Sequence, residues 1–258
     1  MVPTEKYLEM EDDATMQAAC GRLGLVIPGL HMRTRCLPNC TQMGPHAKLD
    51  DDTVRKNIMT GVHFLGCKSC GTYDRHNHLV QVIFAYFRNE LRFSGSTGSV
   101  DSNFVGISAK GKNKHTDGQV WGNPALLKRV AFDVSIVNPN AVSHSGAGAC
   151  GESLLNPNAG TRAAEATKTD RYRLLCQQRG MDFVPIIFTS SGGMGEQFQR
   201  RYWNPHWIRV AEEDVAMKIG PWVARKRKAL WEARFAVAVA NCNAGMIRRS
   251  QHTTSITD

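Results

Sequence analysis

Nowhere does the 258-residue chain carry the run of about 20 apolar residues needed to cross a bilayer, and its polar N-terminus lacks the apolar core of a signal peptide. The expectation is a soluble intracellular protein, nuclear or cytoplasmic, with no membrane partner. Internal repeats and low-complexity tracts are absent as well, and a 42% hydrophobic composition excludes a wholly disordered or collagen-like chain. The length suits one large α/β domain with an appendage, or two small domains. Acidic residues are in deficit, 23 against 32 Lys and Arg, and the formal charge of +9 favours polyanionic partners. The surplus is local: Arg225-Lys226-Arg227-Lys228 and Arg248-Arg249 carry it near the C-terminus, while Asp50-Asp51-Asp52 and Glu212-Glu213-Asp214 interrupt it. A phosphate loop is also missing, because no lysine followed by Ser or Thr completes Gly192-Gly193-Met194-Gly195.

What is present divides the chain into four. Residues 1–35 form a helical entry segment broken by Pro28-Gly29. Residues 36–74 are rich in Cys, His, Gly and Asp with little apolar periodicity, so order there needs a metal or a cross-link. Residues 75–210 read as an α/β core, and 211–258 as a basic C-terminal helix and tail. Within the core, Leu79, Val82, Ile83, Tyr86, Phe87 and Leu91 share one helix face. The Gly/Ser/Lys-rich stretch 94–116 reads as a long loop. Strands are expected at Gly118–Trp121 and Val130–Val137, a helix at Arg162–Arg179 stopped by Gly180, and a buried strand at Phe183–Phe188 closed by Gly192-Gly193. The last helix, Pro221–Arg249, sets Trp222, Trp231, Phe235, Val239 and Cys242 on a stripe opposite Arg225, Lys228 and Glu232.

Eight cysteines in a chain of this length, unevenly spaced, suit metal ligation in a reducing compartment better than a disulfide scaffold. Cys36-x3-Cys40 and His63-x3-Cys67 are two close pairs of soft or borderline ligands, which is what one tetrahedral structural zinc requires, with Cys70, His46 and His31 as competing ligands. Asp117 opens one expected strand and Asp133 lies within the next, flanked by apolar residues. A carboxylate there is costly to bury unless paired or bound to a cation, and two of them on adjacent strands make a hard-oxygen site suited to magnesium. Lys168 shares a helix face with Glu165 and Tyr172, as either a Glu-Lys surface pair or a lysine turned toward the two acids.

Five blocks occur in order: His63-Phe64-Leu65-Gly66-Cys67, Arg75-His76-Asn77, Phe132 to Pro139, Ala163 to Lys168 with Tyr172, and Gly180 to Pro185. Together they resemble the restriction-enzyme-like endonuclease region that lies downstream of the reverse transcriptase in some non-LTR retrotransposons, itself similar to the PD-(D/E)XK nuclease superfamily. The resemblance spans roughly residues 20–250. It implies a mixed central sheet flanked by helices, preceded by a zinc element and followed by a long C-terminal helix, with DNA nicking as the activity. It further implies Cys36, Cys40, His63 and Cys67 as zinc ligands, Asp117 and Asp133 as magnesium ligands, and Lys168 as a catalytic lysine moved from strand to helix. The usual lysine position, two residues after the second acid, holds Ser135. His76 is implied as an assisting catalytic residue, and Arg75 with Arg225, Lys226, Arg227 and Lys228 as nucleic-acid contacts. DNA is the expected partner, RNA the alternative. No polymerase motif occurs in these residues, and a separate reverse transcriptase is a further candidate partner. The rival reading is a catalytically inactive nucleic-acid-binding or structural protein on the same fold, and a third is a protein-interaction zinc module.

Overall fold

A computed structural model describes residues 77–97, 104–107, 111–122, 129–137 and 158–252, together with Met16. The expected zinc ligands Cys36, Cys40, His63 and Cys67, the competing His31, His46 and Cys70, and Arg75 and His76 lie outside the described residues.

The first described helix, α1 (Asn77–Asn89), buries Leu79, Val80, Val82, Ile83, Tyr86 and Phe87, a stripe at helical spacing. It ends where Arg92 takes a left-handed backbone (φ 58°), which turns the chain so that the Phe93 N–H reaches the Phe87 carbonyl at 3.0 Å. The stretch 94–116, expected to be loop, contains three short strands: β1 (Ser94–Thr97), β2 (Phe104–Ile107) and β3 (Asn113–His115). They are held by backbone pairing with neighbours, which Gly- and Ser-rich composition does not announce. Then come β4 (Gly118–Trp121) and β5 (Arg129–Val137), followed by α2 (Ala159–Gln178) and β6 (Met181–Thr189). Gly180, at φ 66°, takes the left-handed position that stops α2.

The main sheet has the order β1-β4-β5-β6, antiparallel except for the parallel pair β5 and β6, which α2 connects. A separate two-stranded sheet, β2 with β3, rests on α2. The molecule is therefore mixed α/β, with a sheet between helical layers.

Alternation along β5 divides the two faces. Val130, Phe132 and Val134 join the main core with Val184, Ile186 and Phe188 of β6, whereas Ala131 joins a smaller cluster with Phe183, Tyr172 and Cys176 under α2. Asp133, two residues from Ala131, therefore belongs to the α2 side.

After β6 the chain forms one helical stretch whose middle is wider than an α-helix: α3 (Glu196–Phe198), a π turn (Gln199–Trp203) and α4 (Asn204–Ala216). The last described element is α5 (Trp222–His252). Its Ala224, Trp231, Phe235, Ala238, Val239 and Cys242 enter the same core as α1 and the sheet. Trp222, expected on that buried stripe, is instead 56% exposed, because it stands in the first turn before α5 reaches the core. The Tyr86 ring lies at the centre, within 5.1 to 6.1 Å of the rings of Trp203, Trp231, Phe235, His206 and Phe198.

Candidate active site on the α2 side of the sheet

Asp133 is 6% exposed, on a strand whose neighbours are apolar, so its charge needs a partner inside the protein. That partner is Lys168 of α2, whose ammonium bonds the Asp133 Oδ2 and also donates to the Val134 carbonyl at 3.3 Å. The surface pairing of Lys168 with Glu165 does not form. Glu165 is itself buried and accepts the Gln197 N–H at 2.9 Å; burial and the nearby Glu196 raise its pKa, which that bond and Arg162 lower in turn.

Asp117 stands one residue before β4. Its backbone N–H bonds the Phe132 carbonyl at 3.0 Å, and its Oδ2 accepts the Val134 N–H at 2.6 Å. The side chain thus extends the β4–β5 ladder by one bond and fixes the carboxylate next to the strand that carries Asp133. Gly118 makes this approach feasible: it faces Phe132 across the ladder, and a Cβ there would collide with the Phe132 ring. These contacts close sequence separations of 35 and 17 residues and gather around Val134, whose N–H bonds Asp117 and whose carbonyl bonds Lys168, next to Asp133.

Tyr172, one turn beyond Lys168 on α2, is 7% exposed and packs on Phe183 with ring centroids 5.3 Å apart. Burial raises its phenol pKa, and the Asp133 and Asp117 charges push it the same way against Arg171. Both acids therefore act electrostatically on this one hydroxyl. Cys176, a further turn along, is pushed up to about 12 by burial and then by Asp133, so it is a neutral buried thiol and no nucleophile. Among the described residues no group of three or more His, Cys, Asp or Glu is arranged to hold a metal ion.

One turn before Lys168, α2 borders a cavity of about 550 Å³ between it and the α3–π segment, lined by Arg162, Glu165, Gln197, Arg200 and Arg201. No sequence pattern assigns residues 196–210 to an element, so this wall is invisible before the fold is known. Arg201 is anchored to the Phe183 carbonyl at 2.8 Å and lies 3.8 Å from Asp182, while Arg200 pairs with Glu196 one turn away.

The basic run at the start of α5 is not four equivalent contacts. Arg227 donates to Glu90 Oε2 at 2.6 Å, where the Trp231 Nε1 also bonds Oε1 at 2.8 Å and His206 stands 3.7 Å away. Lys228 lies 3.9 Å from Glu232, Lys226 sits 4.9 Å over the Trp222 ring, and Arg225 is exposed. Arg227 is thus tied into the core of the fold, and Arg225 and Lys226 are the members turned outward.

Among the described residues no helix is long and apolar enough to cross a membrane. No protein-family model matches the chain, and no curated protein or solved structure is similar to it at a significant level.

Proposed function

We propose that the chain is a magnesium-dependent endonuclease that nicks DNA by phosphodiester hydrolysis, as its likeness to retrotransposon endonuclease regions implies. The observation that supports this best is the convergence of Asp117, Asp133 and Lys168 on the α2 side of the sheet. The donor set fits the ion. Asp117 and Asp133 offer only oxygen, and magnesium is commonly held by one or two carboxylates with water and substrate phosphate completing its shell. When bound, magnesium would supply positive charge against the phosphate and acidify a coordinated water.

The chain's own residues do the rest. Asp117, pinned by the Val134 N–H, and Asp133 fix the oxygen positions before substrate arrives. Lys168 holds the Asp133 carboxylate in place and brings a cation to where negative charge grows on the scissile phosphate. One feature favours the rival reading of a non-catalytic nucleic-acid-binding protein: the Lys168 ammonium pairs directly with Asp133, one of the two carboxylates the ion would need.

Nicking of supercoiled plasmid decides between them. Wild-type protein should nick with magnesium and not with chelator. Lys168→Ala should lose about 100-fold or more in rate with little loss of DNA binding, if the ammonium acts on the transition state. Asp133→Asn should abolish cleavage and weaken magnesium binding together. Wild-type protein that binds DNA and never nicks it leaves the non-catalytic reading standing. The same reading carries one structural zinc on Cys36, Cys40, His63 and Cys67. Elemental analysis should return about one zinc per chain, and a Cys36→Ala/Cys67→Ala variant should lose it; unchanged stoichiometry would remove that assignment.

A further inference from the structure

On the sheet face opposite the candidate active site, α4 and α5 leave between them a groove of about 360 Å³, within the size range of ligand clefts. Its floor is apolar, made by Trp207, Ile208 and Ala211 of α4 and Ala224 of α5. Arg225 and Lys228 border it together with Asn204, and among the described residues no carboxylate lines it. Ile208 is 60% exposed, and nearby on α5 Trp222 is 56% exposed. The Trp222 indole is not loose: its edge lies where a Cβ on Gly220 would touch it, and the Lys226 ammonium sits 4.9 Å over its ring. No acid occupies the first turn of α5, so nothing in that turn offsets its cations.

From this we infer that the α4–α5 groove binds a single-stranded segment of nucleic acid, an unpaired base entering over the Ile208–Ala211 floor and stacking near Trp222 while Arg225, Lys226 and Lys228 meet the flanking phosphates. The inference rests on the nucleic-acid reading above but not on catalysis. Charge complementarity selects a polyanion, and the apolar floor with an exposed indole one turn from Arg225 selects one with apolar ring parts; base stacking combined with backbone cations is how single strands are held without sequence choice. Paired bases have no exposed face to offer such a floor. An acidic peptide would satisfy the cations and leave the indole without a planar partner.

The test is fluorescence anisotropy of the full chain with a labelled single-stranded oligonucleotide and with its duplex, over a range of salt. Wild-type protein should hold the single strand, and Arg225→Ala/Lys228→Ala should weaken it at least tenfold and lower the salt slope by about 1.4, roughly 0.7 for each phosphate no longer neutralised. Trp222→Ala should weaken the single strand several-fold and the duplex little. Lys168→Ala, which bears on nicking, should bind the single strand as wild type does. None of the substituted side chains, Arg225, Lys228 and Trp222, is buried in the core, and unchanged circular dichroism checks that the variants fold. Equal single-strand affinity in wild type and the double variant overturns the inference, as does displacement of the strand by polyglutamate of the same charge as efficiently as by unlabelled oligonucleotide. A protein that fails to nick plasmid yet binds the single strand with these variant effects loses the catalytic reading and keeps this one.

Discussion

At the scale of single residues, Glu90 draws three elements together and is hard to find by reading. It sits just beyond α1, 12% exposed, and gathers Arg227, Trp231 and His206 from α4 and α5. Burial by itself would raise its pKa; the nearby His206, the bond from Trp231 and the Arg227 charge outweigh burial and hold the carboxyl at about 2 against the ordinary 4.5. A depressed carboxyl stabilises the fold fully above its unfolded value and loses that contribution as pH falls through the folded one. Stability should therefore decline between about pH 4.5 and about 2, and Glu90→Gln should remove most of that slope while costing on the order of 3 kcal/mol at neutral pH. Urea unfolding of both proteins at several pH values measures it; identical acid slopes would assign the decline to other groups. Asp133 was legible because an acid in an apolar strand demands a partner. Lys168 was legible as a helix-face neighbour and by resemblance. Glu90 was not, since its partners Arg227 and Trp231 stand 137 and 141 residues away and no local pattern carries that distance.

At the scale of elements, the long periodic ones could be read and the short ones could not. α1 and the body of α5 announce themselves through an apolar stripe, α2 through its Ala content and Gly180 stop, and β5 and β6 through continuous apolar runs. Strands β1 to β3 have three or four residues each and are specified by partners, as when Ser94 to Thr97 pairs with Trp121 to Gly118. The π turn hides for a different reason: its extra residue shifts the spacing of Tyr202 and Trp203 off the helical period. The β4–β5 pair depends on one small residue. Gly118→Ala would drive a methyl into Phe132, which is fully buried and stacked 5.4 Å from Phe87 and so cannot yield. The expected cost is about 1–3 kcal/mol. Because Asp117 is its neighbour, DNA cleavage should fall more than stability alone explains. Thermal unfolding alongside the nicking assay separates the two, and a variant with wild-type melting and wild-type nicking would show that the ladder tolerates the methyl.

At the scale of the whole molecule, the sheet keeps two surfaces apart: Asp117, Asp133 and Lys168 under α2 on one side, and the α4–α5 groove on the other. A core that joins α1 to α5 also has a consequence in time. A ribosome delivers the chain in order, so the apolar stripe of α1 emerges long before Trp231 and Phe235 that cover it. The 141 residues between Glu90 and Trp231 take roughly 7–28 s to make at about 5–20 residues per second. Throughout that interval Leu79, Ile83 and Phe87 lack the cover of α5, and the Tyr86 ring lacks two of its aromatic neighbours. Nascent chains stalled after β6 should therefore be protease-sensitive and captured by chaperones, and those stalled with α5 clear of the exit tunnel should be neither. Equal protection at both lengths would mean that α1 and the sheet close without it. In such a fold the arrival of α5 is what ends the nascent chain's dependence on helpers.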